Sequence, residues 1–250
     1  MNIEYHKHWS SNLNREMEYK VYGHAGKPII VFPSSGGSFY EYEDFKMIEA
    51  SQPYIDAGSI QFFSVSSVDK EMWLSTTHSM EHRAWASTAF DKYITDEFTP
   101  IVRERTGYDT FMATGCSMGA YHSLNMWLRH PEIFDEAIAL SGRYDLVFGD
   151  NSNDVSNETL YYNAPTRYFP NLNDEWYLDK YRHSRVIVCS GQGPWEAETL
   201  KETYEMQALF QQKNIPVDIQ IWGTDVAHDW PWWRQQMPIF LDKLGYAKVG

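Results

Sequence analysis

The sequence predicts an α/β fold: a mostly parallel, twisted sheet with helices on both faces and a small irregular cap insertion. Two observations carry that expectation. Short apolar runs alternate along the chain with longer amphipathic ones, the pattern of buried parallel strands joined by crossover helices. The chain has 250 residues, 43% of them hydrophobic and 22% charged, an ordinary globular composition at the upper end of the single-domain range. A single domain over 1–250 is therefore expected.

The runs around 2–9 and 17–24, with Glu18 to Tyr22 as the strand-like part of the second, read as an antiparallel hairpin that starts the sheet at its edge. Pro28 to Phe32, Ile60 to Val65, Thr110 to Gly115, Glu136 to Leu140, Arg185 to Cys189 and Val217 to Trp222 read as strands, being short and apolar. Between them, His82 to Arg105 reads as helix and stops at Thr106-Gly107. Ala120 to Leu128 has apolar residues at helical spacing and ends before His130-Pro131. Glu198 to Gln212 and Trp232 to Leu244 read the same way. The segment from Arg143 to His183, rich in Asn, Asp, Pro and Tyr and without a strong period, reads as a cap-like insertion above the carboxyl ends of the strands, where α/β sheets bind ligands.

Composition excludes several classes. A formal net charge of −13 repels nucleic-acid phosphates and anionic lipid, so neither is an expected partner. No run of eighteen apolar residues exists, and the polar N-terminus lacks the apolar stretch of a signal peptide, so a cytoplasmic location is expected. Cys116 and Cys189 end apolar strand-like runs and read as small buried hydrophobes, with no disulfide framework and no zinc-type spacing. Ten Trp, seventeen Tyr and thirteen Phe leave aromatics outside the strand runs, to line a pocket or to pack at loop bases.

The motif with chemical content is Gly115-Cys116-Ser117-Met118-Gly119, set between a strand-like and a helical run. G-x-S-x-G alone arises by chance in roughly one chain in ten of this length, so the context decides. A strand turning sharply into a helix holds the serine in a strained conformation with its hydroxyl exposed, and the small residues two before and two after avoid clashes. The plainer reading is a tight turn whose hydroxyl merely caps the helix. As nucleophile, Ser117 needs a base and an acid, in the order Ser, acid, His. His228 fits, six residues after the last strand-like run and just ahead of the final helix; the other eight histidines precede Ser117, lie on its helix or precede the next strand. The acid is expected after Arg185 to Cys189, where Glu196 is the choice, with Glu198 and Asp145 as alternatives. The Met118 N–H and the Ser35 N–H, in Phe32-Pro33-Ser34-Ser35-Gly36-Gly37, are the expected oxyanion donors. Trp73, Asp69, Trp195 and Trp230 fall in strand-end loops and are candidates to wall a pocket, with plain packing as the other reading. The glycine pairs lack a phosphate-loop pattern, so a nucleotide is not expected.

At PIIVFPSSGG, TFMATGCSMGAYHSLNMWLRHPEIFDEAIALSG, VIVCSGQGPWE and WGTDVAHDWPWWRQQMPIFL the chain resembles the putative-esterase family of α/β-hydrolases, which includes esterase D-like, feruloyl and enterochelin esterases and mycolyltransferases. The resemblance spans almost the whole chain. It implies the α/β-hydrolase fold, with the family roles on Ser117, His228 and an acid after Cys189. Two departures stand out: the acid loop offers Glu196 and Glu198 where many members have Asp, and Pro33-Ser34 stands where many have His-Gly. The implied activity is a serine carboxylic-ester hydrolase acting through an acyl-enzyme on a small or medium ester, a sugar or aromatic ester included. No metal or cofactor is implied, and a homo-oligomer is left open. An acyltransferase with the same triad and a non-catalytic binding protein are the competing readings.

Overall fold

The computed structural model describes residues 1–145 and 157–249. Among the described residues, eight strands form one sheet: β1 (Ile3–Ser10), β2 (Arg15–Tyr22), β3 (Lys27–Phe32), β4 (Ile60–Val65), β5 (Phe111–Cys116), β6 (Phe134–Leu140), β7 (Arg185–Ser190) and β8 (Asp218–Ile221). Their order across the sheet is β1-β2-β4-β3-β5-β6-β7-β8. The β1–β2 and β2–β4 pairs are antiparallel and all others parallel. This is the α/β sheet the periodicity predicted, with the hairpin at its edge.

Strand alternation feeds two cores. On β3, Ile29 and Val31 face one side with Phe62, Met112 and Ile138, while Ile30 and Phe32 face the other with Phe63 and Ala113. The first face is covered by α2 (Met47–Asp56), which follows the short α1 (Glu41–Asp44), and by α10 (Trp230–Lys243). The second is covered by α3 (Met80–Lys92), α4 (Thr99–Thr106), α5 (Met118–Arg129) and α9 (Ala197–Gln212). Because both faces are buried, β3, β4 and β5 read as continuous apolar runs instead of alternating ones.

Three segments differ from the sequence reading. The helix expected over 82–105 is α3 and α4 joined through a π-helical stretch, Tyr93–Phe98. Pro100 has no N–H for the carbonyl of residue 96, and the wider turn ahead of it accommodates that loss. Gly107 then ends α4 at φ 75°, its N–H on the Arg103 carbonyl at 2.8 Å, as the Thr-Gly stop signal required. Helix α2 was not anticipated because Pro53 interrupts it, although its buried Met47, Ile48, Ser51, Tyr54 and Ile55 share one helical face.

The third segment is the insertion. Its residues 146–156 lie outside those described. The rest is helical: α6 (Glu158–Tyr161), α7 (Pro165–Tyr168), a 3₁₀ turn over Phe169–Asn171 and α8 (Glu175–His183). Helix α8 has sound end signals, with Asp174 capping the Trp176 N–H at 2.9 Å and Lys180, Arg182 and His183 in its last turn. Only Tyr181 is fully buried on it, which is why no apolar period marked it. These helices pack along α5: Tyr121 donates to the Asn163 carbonyl at 2.8 Å, and Tyr168 to the Asn125 amide oxygen at 3.0 Å. Among the described residues, no helix is long and apolar enough to cross a membrane.

The topology points to one location. From β3 the chain crosses to β4 on one side, whereas β5 lies on the other, so the carboxyl ends of β3 and β5 flank a point where strand order reverses. The β3 end leads into Ser34–Gly37, and the β5 end into Ser117.

Candidate active site

Ser117 has φ 57° and ψ −117°, a conformation that costs a non-glycine residue on the order of 1–3 kcal/mol. Its surroundings hold it there. The Ser117 N–H bonds the Leu140 carbonyl at the end of β6 at 2.9 Å. A Cβ on Gly115 would come within 2.4 Å of the Gly119 backbone, and one on Gly119 within 2.2 Å of the Phe32 carbonyl oxygen. Both motif glycines are thus sterically required, and the second lets α5 butt against the end of β3. Met118, the first residue of α5, has an N–H without an intrahelical acceptor.

The loops after β7 and β8 are laced together before they reach the serine. Gly193 N–H bonds the Val226 carbonyl at 2.8 Å, and His228 N–H bonds the Pro194 carbonyl at 3.0 Å. Gly191 leaves no room for a side chain, since a Cβ would lie 2.2 Å from the Val226 oxygen. The result brings His228 Nε2 to 2.8 Å from Ser117 Oγ, across 111 residues of sequence. On the other ring edge, Nδ1 is 3.5 Å from Glu196 Oε2, an ion-pair distance without the alignment of a hydrogen bond.

Glu196 is buried. Burial pushes its carboxyl up, but His228 and the hydroxyls of Ser141 and Thr199 outweigh that and hold it below the usual range. Ser141 donates to Oε1 at 2.6 Å, Ser190 to Oε2 at 3.2 Å, and Thr199 to Oε2 as well. An ionised carboxylate only accepts, so it favours the tautomer with the proton on Nδ1, leaving Nε2 to accept from the Ser117 hydroxyl. The alternative acids are occupied elsewhere. Glu198 is an exposed first-turn residue of α9, 3.8 Å from Arg143, and Asp145 is held by Arg167 at 2.6 Å.

Ser34 to Gly37 forms a tight turn, with Gly37 N–H on the Ser34 carbonyl at 2.9 Å and Gly36 at φ 70°, as a type II turn requires. The buried Glu41 braces it, accepting from the Ser34 N–H at 2.7 Å and the Ser34 hydroxyl at 2.6 Å. Burial leaves the Glu41 carboxyl above its usual range despite those two bonds. Gly37 is needed for this brace, because a Cβ there would meet Glu41 Oε1 at 2.3 Å. Ser35, exposed at the top of the turn, lies in the segment that abuts the start of α5.

Sequence reasoning missed Ser141, Trp233 and Glu41. Ser141 follows β6 with φ 58°, donates to Glu196 and accepts from Trp233 Nε1 at 3.0 Å, while the Trp233 ring stands edge-on to His228 at 5.0 Å. One tryptophan therefore touches His228 directly and Glu196 through Ser141. No local pattern marks these residues; the only cue is that Ser141 ends a strand beside the nucleophile strand. Of the four pocket candidates, three are buried, one of them, Asp69, on the lining of a cavity. Trp73 is buried in the core, Asp69 is buried against His122 at 2.7 Å, and Trp230 begins α10, stacked on Phe45 at 4.6 Å. Trp195 stands in solvent, 88% exposed, at φ 67°.

Two cavities differ in their distance from Ser117. One of about 340 Å³ adjoins the Ser34–Gly37 turn. Another, of about 550 Å³, lies between α8 and the Leu128–His130 end of α5, roughly 18 Å along the helix from Ser117. It belongs to a different part of the surface. No group of three His, Cys, Asp or Glu side chains suited to a metal occurs among the described residues.

A family model described as Putative esterase matches residues 10–244. The chain belongs to this esterase family. The members' fold extends to solved structures of low identity. A ferulic acid esterase superposes with a TM-score of 0.73 at 14% identity, covering 97% of each chain. S-formylglutathione hydrolase from Staphylococcus aureus gives 0.69 at 13%, covering 98% of this chain and 99% of its own. MPT51 (FbpC1) of Mycobacterium tuberculosis gives 0.68 at 14%, covering 99% and 100%. At such identities the likeness establishes the α/β-hydrolase fold. No curated protein sequence matches the chain.

Proposed function

We propose that this esterase-family protein is a serine carboxylic-ester hydrolase with Ser117 as nucleophile, His228 as base and Glu196 as acid. The observation that carries the reading is the 2.8 Å contact between His228 Nε2 and Ser117 Oγ, on a serine held strained at a strand-to-helix turn. His228 takes the Ser117 proton as Oγ forms its bond to the acyl carbon, and the carbonyl electrons move onto oxygen. The N–H groups of Met118 and Ser35 donate to that oxyanion. Collapse expels the alcohol, which takes the proton from His228; water then repeats the cycle and frees the acid. Glu196 fixes the ring tautomer and balances the imidazolium charge while remaining ionised.

The test is labelling by a fluorophosphonate, read by mass spectrometry of the intact protein and its peptides. The expected result is one adduct, on Ser117, together with loss of hydrolysis of short 4-nitrophenyl esters. Unlabelled Ser117 in a folded, ester-hydrolysing protein would overturn the assignment.

A further inference from the structure

The turn that carries Ser35 is gripped by one side chain. Glu41 takes the Ser34 N–H on Oε2 at 2.7 Å and the Ser34 hydroxyl on Oε1 at 2.6 Å, so it holds the residue before Ser35 by main chain and side chain at once. It also reaches the far end of the turn: a Cβ on Gly37 would collide with Glu41 Oε1, so this carboxyl is the floor on which Gly37 lies. Between the two held ends, the Ser35 N–H has no backbone acceptor among the described residues. Its direction is set by its neighbours and not by a bond of its own.

Glu41 is tied in turn to the strand that bears Ser117. It opens α1, with its N–H on the Ser38 carbonyl at 3.0 Å. The next residue, Tyr42, is buried and brings its hydroxyl to 3.6 Å from Sγ of Cys116, which immediately precedes Ser117. The Tyr42 ring stands edge-on to Phe62 and Trp230. Two consecutive residues of α1 thus grasp the two turns that meet at the site, Glu41 the turn after β3 and Tyr42 the end of β5. A buried carboxyl is costly unless its oxygens are satisfied, so Glu41 favours the arrangement in which it holds Ser34. The turn itself needs no such device, because the Gly37-to-Ser34 bond and the positive φ of Gly36 already close it.

We propose that Glu41 is a positioning residue for ester hydrolysis, fixing the Ser34–Gly37 turn so that the Ser35 N–H stays in place to donate to the oxyanion. It acts through Ser34 and touches no reacting atom. The proposal rests on the esterase reading above and adds what holds the oxyanion donor. Because the oxyanion forms only on attack, the brace lowers the barrier and leaves substrate binding alone.

The experiment measures kcat and KM for 4-nitrophenyl butyrate, with kcat expressed per Ser117 labelled by a fluorophosphonate at completion. It also measures the inhibition constant of an alkyl trifluoromethyl ketone, whose adduct with a serine carries the oxyanion. Glu41→Ala is expected to lower kcat per labelled site by about 10²-fold, the scale of a misplacement of roughly 1 Å, and to weaken the ketone by a similar factor. KM should stay within about twofold, as for a loss confined to the transition state. Glu41→Gln keeps an acceptor for the Ser34 N–H and should lose only about threefold in kcat. Gly37→Ala crowds the carboxyl without removing it and should cost about tenfold in kcat. Values of kcat per labelled site and ketone affinity within about twofold of the unmodified protein in Glu41→Ala, or in Gly37→Ala where Glu41→Ala does not fold, overturn the proposal alone. A merely structural brace would lower only the melting temperature and the labelled fraction. Absence of ester hydrolysis in the folded, unmodified protein, with Ser117 unlabelled, overturns it together with the esterase reading.

Discussion

Two histidine–carboxylate pairs stand close to Ser117, and they are built differently. His122, on α5 five residues after the serine, meets Asp69 at 2.7 Å, with both side chains buried and with Phe32 and Phe90 packed against the ring. His228 meets Glu196 at 3.5 Å, is partly exposed, and gives its other nitrogen to Ser117. The tighter pair is the one that does not touch the Ser117 hydroxyl. A buried polar pair must satisfy itself at short range because no water reaches it, whereas a working base must leave one ring nitrogen directed at the reacting group. On the proposed reading, the tight His122–Asp69 contact serves the structure and the His228 ring, open to the hydroxyl, serves the chemistry.

That contrast can be broken most directly at the serine. Ser117→Ala is expected to lower ester hydrolysis by on the order of 10⁴-fold with an unchanged melting temperature; substantial residual turnover would move the chemistry elsewhere. Glu196→Gln is expected to cost about 10³-fold in kcat, because the amide loses the charge and turns an N–H toward hydroxyls that donate. Acid titration checks the same residue. A carboxyl held below 4.5 contributes stability that is present above that value and lost as pH falls through its own lower value, so a melting series should show an acid step that Glu196→Gln lacks.

At the other pair, Asp69→Ala should act on stability. It leaves His122 buried without its partner, at a cost of about 3 kcal/mol, seen as a fall of roughly 6–12 °C in melting temperature. Below the transition Ser117 should still react with a fluorophosphonate; loss of labelling at unchanged stability would show that the two pairs share the chemistry. A smaller effect is expected from Ser141→Ala and Trp233→Phe, each lowering kcat by about tenfold or less, as single hydrogen bonds do. Since both act through the Ser141 hydroxyl, the double variant should lose little more than the worse single one. Additive losses would separate them.

A pH-dependent effect comes from His130, just past the far end of α5. Burial lowers its pKa, but Asp91 and Glu132 outweigh that and push it up to about 9, from 6.5. A raised folded-state value contributes stability that is full below 6.5 and lost as pH rises through 9. Melting temperature should therefore decline across that interval by an amount that His130→Gln abolishes.

Much of this was visible in one dimension. Buried parallel strands must be apolar on both faces, so Pro28 to Phe32 and Ile60 to Val65 announce themselves within a residue or two. A hydroxyl forced out at a strand-to-helix turn needs small residues on both sides, which singles out Gly115 and Gly119 around Ser117. Strand order then narrowed nine histidines to His228, and the acid to a short loop. Other features had no local trace. Helix α8 hid because it buries a single side chain, and α2 because a proline sits inside it. Glu41, Ser141 and Trp233 come from three separate elements, and each looks like an ordinary surface or core residue until those elements meet.

Sequence alone determined what steric exclusion and burial impose on neighbours in the chain: the strands, the strained serine turn and the order of the three site residues. Tertiary structure alone decided which carboxyl is buried under the His228 ring and that Ser141 and Trp233 join it there. The physical reason is range. Backbone conformation and periodicity act over a few residues, while hydrogen bonds and charges are set by distance in space, and here they join positions 111 residues apart.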